Sequence, residues 1–513
     1  DTRGVVRVMI EALLAVTGLA ALVTFLVPDE YAGRAAAVFS VLPLLGSLLL
    51  WARFNGAGNA LVDGDVAFES AAPWMTLGGY KVQWFVGLDG VSLPLVVLTT
   101  VLTTLAIISA WSAIDERQSQ FYALILFMET TLLGVFTALD FLLWFVFWEA
   151  VLVPMYFLIG VWGGPRRKYA AIKFFVYTNI ASLAMFIAFV ALVLAAPVET
   201  FSLPAVAAAL RGEQIAGFLG LTPDLLRTVA FVAMFVGFGV KVPIVPFHTW
   251  LPDAHVEAPS PVSVLLAGVL LKMGTYALLR YNFTMLPETA AALAVPIAAV
   301  AVVSVLYGAM LALAQEDLKR IVAYSSVSSM GYVILGLVAY TLYGVGGATF
   351  QMVAHGLISG LMFMSVGVIY HATHTRMVGD MSGMADRMPV TTGILVAGAF
   401  GYMGLPLMAG FAGEFFIFVG SFGSTTLPFA PIFTAAAMFG IVVVAGYLLL
   451  AMQKTLFGPF RLDTDYEVHG APLRDTAPLA VLLLCIVALG VAPDLFFGMI
   501  KDAVGPILQG GGL

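Results

Sequence analysis

Charge and thiols are what this chain has least of. Of its 513 residues, 10% are charged and one is cysteine. That residue, Cys485, sits in the apolar run LAVLLLCIVALGV. An internal disulfide and a CxxC metal or cluster site are both excluded, and the side chain reads as a small buried hydrophobe. The formal net charge of -7 provides no basic footprint for nucleic acid. No phosphate-binding loop, nucleophile triad or metal-ligand motif supports catalysis by the chain itself. What is abundant is apolar. The chain is 61% hydrophobic with a mean hydropathy of +1.02, more apolar surface than one soluble core can hide. It is a polytopic membrane protein.

A bilayer crossing takes roughly 20 apolar residues, and fourteen such runs are read along the chain. They fall near 7–27, 35–53, 91–113, 119–139, 140–162, 170–196, 226–248, 260–281, 288–312, 318–340, 346–371, 391–420, 430–456 and 475–498. The chain begins at Asp1, and its first run lacks a small-residue cleavage site, so it reads as a retained helix and not a signal peptide. Thirteen Lys and Arg residues follow odd-numbered spans, Arg166, Arg167, Lys168, Lys319 and Arg320 among them. Five follow even-numbered ones: Arg53, Lys81, Arg211, Arg227 and Arg280. The positive-inside bias then puts both termini outside, and a prokaryotic cell membrane is the expected location. The organisation expected is an N-terminal unit of two helices and an outer loop over 1–90, a core over 91–498, and a C-terminal tail over 499–513. Within the outer connection after span 6, SLPAVAAALRGEQIAG reads as a short surface helix.

Against this background the ionisable residues inside spans stand out, because a charge at the bilayer centre costs about 2.5 to 3.5 kcal/mol on insertion scales. They are Glu129 in ILFMETTLLG, Glu149 in WFVFWEAVLVP, Lys241 in VGFGVKVPIVP, Lys272 in GVLLKMGTY, His355 in QMVAHGLIS and Glu414 in AGFAGEFFIF. Any one of these could be a structural pair gluing helices together. As a set, acids, bases and an imidazole make a series of sites at which protonation can alternate. Desolvation disfavours a charged lysine and a nearby carboxylate favours it, so moving the carboxylate toggles the lysine. Glu11 and Lys454 lie near span ends and read as interfacial. Asp140 reads as the amino-terminal charge of the fifth span, and His371 and His374 as facing water at an inner helix end.

Two spans should break. Lys241 is followed by Pro243 and Pro246 in the seventh, and the twelfth carries GYMGLPLMAGFAGEF ahead of Glu414. Interrupted helices at corresponding places in two halves point to a site at a repeat interface. These are five spans apart, so two five-helix repeats are expected, over about 119–281 and 288–456. An odd number of crossings per copy makes consecutive copies inverted. The fold class expected is all-α, with about fourteen transmembrane helices, two inverted five-helix repeats, and discontinuous helices 7 and 12.

The runs KVPIVPFHTWLPDAHVEAPSPVSVLLAGVLLKMGTYALLR, FWEAVLVPMYFLIGVWGG, EDLKRIVAYSSVSSMGY and GFAGEF carry a resemblance. From about Gly87 through the fourteenth span, the chain resembles the antiporter-like membrane subunits of respiratory complex I, subunit M or chain 4 most of all. The resemblance implies a proton-translocating subunit of a NADH-quinone oxidoreductase, coupled to quinone reduction elsewhere in the complex. It implies no cofactor in this chain. Quinone, iron-sulfur clusters and a flavin or other donor cofactor are expected on partner subunits, and antiporter-like L and N types and small subunits as membrane neighbours. It also implies that Glu149 and Lys241 form an acid and lysine pair, that Lys272 is a central connecting lysine, and that Glu414 is the acid of the second broken helix. Sister subunits and sodium/proton antiporter subunits generally have lysine at that last position. The chain departs from the family in SVSSMG, where Ser329 stands at a position often held by histidine; His355 or a water chain would carry that step instead. The alternatives are a subunit of a multisubunit Na+/H+ antiporter or a related membrane-bound dehydrogenase or hydrogenase and, more distantly, a stand-alone secondary carrier or a purely structural anchor.

Overall fold

The computed structural model describes residues 8–212 and 215–509. The first seven residues, the last four, and Glu213 and Gln214 of the expected surface-helix segment lie outside the described residues. Among the described residues, thirteen helices are long and apolar enough to cross a membrane. Two shorter apolar helices, Pro389–Tyr402 and Ala409–Phe422, supply one more crossing between them. Spans 1 to 6 are Met9–Leu26, Asp29–Ala52, Ser92–Ala110, Gln118–Thr137, Phe141–Trp162 and Arg167–Ala195. Span 7 runs Pro223–Lys241 and resumes as Trp250–Glu257. Spans 8 to 11 are Ser260–Thr284, Ala294–Leu313, Leu318–Val338 and Leu342–Thr373. The paired short helices are span 12, and Ala430–Leu456 and Leu473–Val491 are spans 13 and 14.

Hydrocarbon offers backbone groups no partners, so the spanning segments must satisfy their own hydrogen bonds as helices. Several begin on a side chain that caps free amides. Asp140 accepts from the amides of Leu142 and Leu143 at the start of span 5, as expected, and Asp317 accepts from Lys319 and Arg320 at the start of span 10. The two broken spans sit fourth in each set of five. Each packs against the span before it, span 7 on span 6 and span 12 on span 11. Burial sorts the helices into layers. Span 8 is wholly buried and spans 10 and 11 nearly so, whereas 28% of span 2 and 39% of spans 1, 13 and 14 is covered. The centre of the molecule is therefore built from the spans that carry Lys272 and His355.

Several features differ from the sequence reading. Span 8 is not a regular α-helix: Leu266–Leu270 and Leu278–Thr284 are π-helical and bracket the turn holding Lys272. Arg280 does not lie in an outer connection but inside the second π-helical segment, 2% exposed. A β-hairpin, Ala67–Leu77 with Tyr80–Leu88, occupies the connection between spans 2 and 3. Its turn residues Gly78 and Gly79 both have positive φ, +57° and +92°, which suits a two-residue hairpin turn. The expected surface helix is Leu203–Arg211, and the segment read as a tail is helical over Phe497–Leu508. Hairpin, surface helix and terminal helix share one face of the molecule. The Lys81 amide donates to the Glu199 carbonyl at 2.8 Å, the Leu203 amide to that of Leu139 at 2.8 Å, and Asn59 Nδ2 to that of Ala503 at 2.8 Å.

Candidate functional site

The first group forms where span 5 meets the break of span 7. Lys241 is the last residue of the longer half of span 7, 1% exposed, and its Nζ has no hydrogen-bond partner. The ammonium lies over the Trp148 ring, 3.9 Å from its centroid. Trp148 is held by donating Nε1–H to Ser182 Oγ at 2.9 Å and by stacking on Trp144 at 4.8 Å. Glu149, the next residue of span 5, accepts from Asn179 Nδ2 at 3.1 Å through one oxygen and leaves the other unpaired. The acid and the lysine feel each other electrostatically but make no direct ion pair. The lysine's charge is met by an aromatic face instead.

The second group sits at the centre. Lys272, 0% exposed, donates from Nζ to the Ala267 carbonyl and meets His355 Nδ1, each at 2.5 Å. The carbonyl is available because the π-helical turn before Lys272 releases it from the regular ladder. The approach of spans 8 and 11 depends on glycine: a Cβ on Gly356 would stand 2.6 Å from the Gly268 carbonyl oxygen. Two buried bases in contact, with no carboxylate hydrogen-bonded to either, cannot both be charged in a low-dielectric interior. A single excess proton shared between them avoids that repulsion.

The third group lies at the break of span 12. Glu414 is 4% exposed, and its Oε2, unpaired, packs against Gly404, whose φ is +68°. A Cβ at Gly404 would lie 2.6 Å from that oxygen, so glycine here serves both the turn and the carboxylate. The hydroxyls of Tyr332 and Tyr447 neighbour the acid. Ser329, on span 10, is 6% exposed.

Glu129 is not drawn into any of these groups. It is fully buried on span 4 with both carboxylate oxygens unpartnered, although its span packs on the Lys272 turn of span 8. His371 and His374 are exposed, and His374 stacks on Tyr466 at 3.7 Å. Sequence reasoning missed Trp148 as the group under Lys241. It also missed His255 on the short half of span 7, fully buried with both ring nitrogens unpaired and stacked on Phe363 at 4.3 Å. The signal for His255 was present, since it lies in the same WLPDAHVEAP run as the break. A further buried pair was also missed. Arg280 binds Asp89 at 2.6 Å, with side chains 2% and 0% exposed. Burial alone would raise the Asp89 carboxyl; Arg280 and the amides of Ala60 and Ser92 hold it below the usual carboxylate range.

Fold and site together define an integral multi-pass membrane subunit of the antiporter-like class, with buried acids and bases at its helix breaks. The family profile described as NADH:quinone oxidoreductase/Mrp antiporter, TM, matches residues 138–440, and that described as NADH-ubiquinone oxidoreductase chain 4, amino terminus, matches residues 68–135. The chain is 41% identical over 420 residues to NAD(P)H-quinone oxidoreductase chain 4 1 of Nostoc sp., covering 81% of this chain and 76% of the relative. It is 38% identical over 493 residues to F(420)H(2) dehydrogenase subunit M of Methanosarcina mazei, covering 95% and 94%. Among solved structures it matches a chain of respiratory complex I from Thermus thermophilus with a TM-score of 0.84 at 27% identity, covering 98% of this chain and 100% of that one. The chain belongs to the family of antiporter-like membrane subunits of complex I-type quinone oxidoreductases, and within it to the chain 4, or subunit M, kind.

Proposed function

We propose that this chain carries protons across the membrane within a quinone oxidoreductase complex, coupled to quinone reduction on other subunits, and holds no redox cofactor of its own. The observation that carries the reading is the contact between Lys272 and His355, two buried bases with no acid to neutralise them. A structural pair would join opposite charges; two adjoining bases make a place for one mobile proton.

The steps follow from the arrangement. When Glu149 is drawn toward Lys241, the attraction between unit charges about 4 Å apart at an effective dielectric of about 20 is worth about 4 kcal/mol. That exceeds the roughly 2.3 kcal/mol needed to move one charge against 100 mV. With Glu149 held by Asn179, as here, Lys241 has only the Trp148 face and its proton is poised to leave. Span 8 packs on the end of span 7 and brings the Lys272 turn to that break. The proton passes to the Lys272–His355 pair and onward to Glu414, which faces the outer half. Both termini outside, a prokaryotic cell membrane, and membrane neighbours of the L and N types belong to the same reading. Donor cofactors, whether flavin and iron-sulfur clusters or their equivalents, reside on the peripheral partners.

The test is Lys241→Ala in assembled complex reconstituted in proteoliposomes. Quinone-coupled acidification of the lumen should fall at least tenfold while the subunit composition stays intact. Pumping at the unmodified rate would overturn the reading.

A further inference from the structure

Between His355 and Glu414 the chain offers hydroxyls. Span 10 contributes Ser325, Ser326, Ser328 and Ser329, all buried. Tyr402, at the end of the first half of span 12, lies edge-on to the His355 ring, with centroids 5.8 Å apart. Its hydroxyl sits beside those of Ser325, Ser326 and Ser359. Tyr447, on span 13, sits beside Ser325 and is within electrostatic reach of both Tyr402 and Glu414. Both tyrosine hydroxyls are fully enclosed and neither makes a direct hydrogen bond.

That is costly and unusual. A buried tyrosine normally finds a partner, and an unmade hydrogen bond at a buried group costs about 1–3 kcal/mol. Other buried tyrosines here follow the rule: Tyr332 donates to the Ala437 carbonyl at 3.0 Å and Tyr340 to that of Phe283 at 2.7 Å. Tyr122 and Tyr281 are also unpaired, but they lie on spans 4 and 8, outside the stretch from His355 to Glu414.

Resting on the proton-carrying reading above, we propose that Tyr402, Ser325 and Tyr447 form a hydroxyl relay that conducts the proton from His355 to Glu414. Each hydroxyl is both donor and acceptor. The Tyr402 oxygen accepts the proton leaving His355 Nε2, the ring nitrogen that Lys272 does not engage, and gives its own proton to Ser325 Oγ. Ser325 passes its proton to Tyr447, and Tyr447 passes its proton to the Glu414 carboxylate. Each oxygen gains one O–H bond and loses one, so no tyrosinate or serine cation is left behind. Rotation of the three hydroxyls resets the chain for the next proton: the two tyrosines are tied to no carbonyl, and Ser325 exchanges the bond it donates to the Val322 carbonyl, 2.5 Å here, for one to Tyr447. Serine at position 329 then makes physical sense, because the route does not need a titratable side chain there.

The test uses the intact complex in proteoliposomes. Tyr402→Phe with Tyr447→Phe should lower quinone-coupled pumping at least tenfold, and adding Ser329→His to that double variant should restore much of it by supplying a proton-binding group on span 10. Unmodified pumping in the double variant would overturn the relay, and so would a loss that Ser329→His leaves unrepaired, which marks a packing role. If the double variant does not assemble, Tyr447→Phe and Ser325→Ala singly carry the test, each expected to slow pumping severalfold and to alter the deuterium solvent isotope effect; no change in either measure overturns the relay. The Lys241→Ala result is independent: a block there with normal pumping in the tyrosine variants would retain the proton-carrying role and discard this route.

Discussion

Span 8 holds two buried cations about two turns apart in sequence, and they are treated in opposite ways. Arg280 is met by the carboxylate of Asp89 at 2.6 Å, and both are almost fully enclosed. Lys272 is met by His355 and a carbonyl oxygen, with no acid at hand. The first arrangement is a latch. Opposite charges satisfy one another, and breaking the pair strands a charge in the interior. The second has no such counter-charge, and in the function proposed above it serves as a proton site, its net charge changing by one with each proton that arrives or leaves. The difference also tracks position: Asp89 precedes span 3 on the face that carries the hairpin and the terminal helix, whereas Lys272 lies between the π-helical turns of span 8. A buried charge in a membrane protein is thus better classified by its partner than by its depth.

The comparison can be broken most severely by turning the proton site into a latch. His355→Glu should place a carboxylate against Lys272 and hold the proton there. Quinone-coupled pumping in reconstituted complex is expected to fall at least a hundredfold with assembly retained; a fall of less than tenfold would mean the pair is not on the route.

A smaller effect comes from unmaking the latch. Arg280→Ala should destabilise the chain by about 3–5 kcal/mol, because Asp89 remains buried without its partner. Replacing both residues, as Asp89→Leu with Arg280→Met, should recover most of that loss. Thermal midpoints of the purified complexes would compare the two, and equal losses in both would show that the pair contributes more than charge balance.

The smallest effect concerns pH. Asp89 is held below its ordinary value, so its stabilising contribution is complete above the unfolded carboxyl value of about 3.9 and is lost as pH falls through the lowered folded one. The stability difference between the native protein and the doubly apolar variant should therefore be flat from about pH 8 to pH 5 and shrink only below about pH 4. A midpoint difference that changed between pH 8 and 5 would place another titrating group at the latch.

Much of this architecture was legible beforehand for identifiable reasons. The crossings follow from length and hydropathy, since a bilayer admits few ways of satisfying a backbone. The breaks of spans 7 and 12 follow from Pro243, Pro246 and the Gly404–Pro406 cluster, which cannot continue a regular helix. The π-helical turns around Lys272 had no comparable signal, because Leu266–Leu270 and Leu278–Thr284 contain no helix-breaking proline. The hairpin went unread because its strand residues are interrupted by glycine, proline and charges over Asn55–Gly90, and its pairing is completed by docking on the connections around Leu139 and Glu199. Arg280 looked like a loop cation because its acid is 191 positions away along the chain.

The sequence by itself determined which segments enter the membrane, which of them break, and which side chains pay for ionisation inside it, because those depend on local hydropathy and backbone chemistry. Only the tertiary structure decided what each buried group faces: Trp148 under Lys241, His355 against Lys272, Asp89 on Arg280, and Glu129 with no hydrogen-bond partner among the described residues. The reason is range. Desolvation is set by a residue's own span, but the partner that makes a buried charge a latch or a relay comes from another span, and its placement follows from how the helices pack.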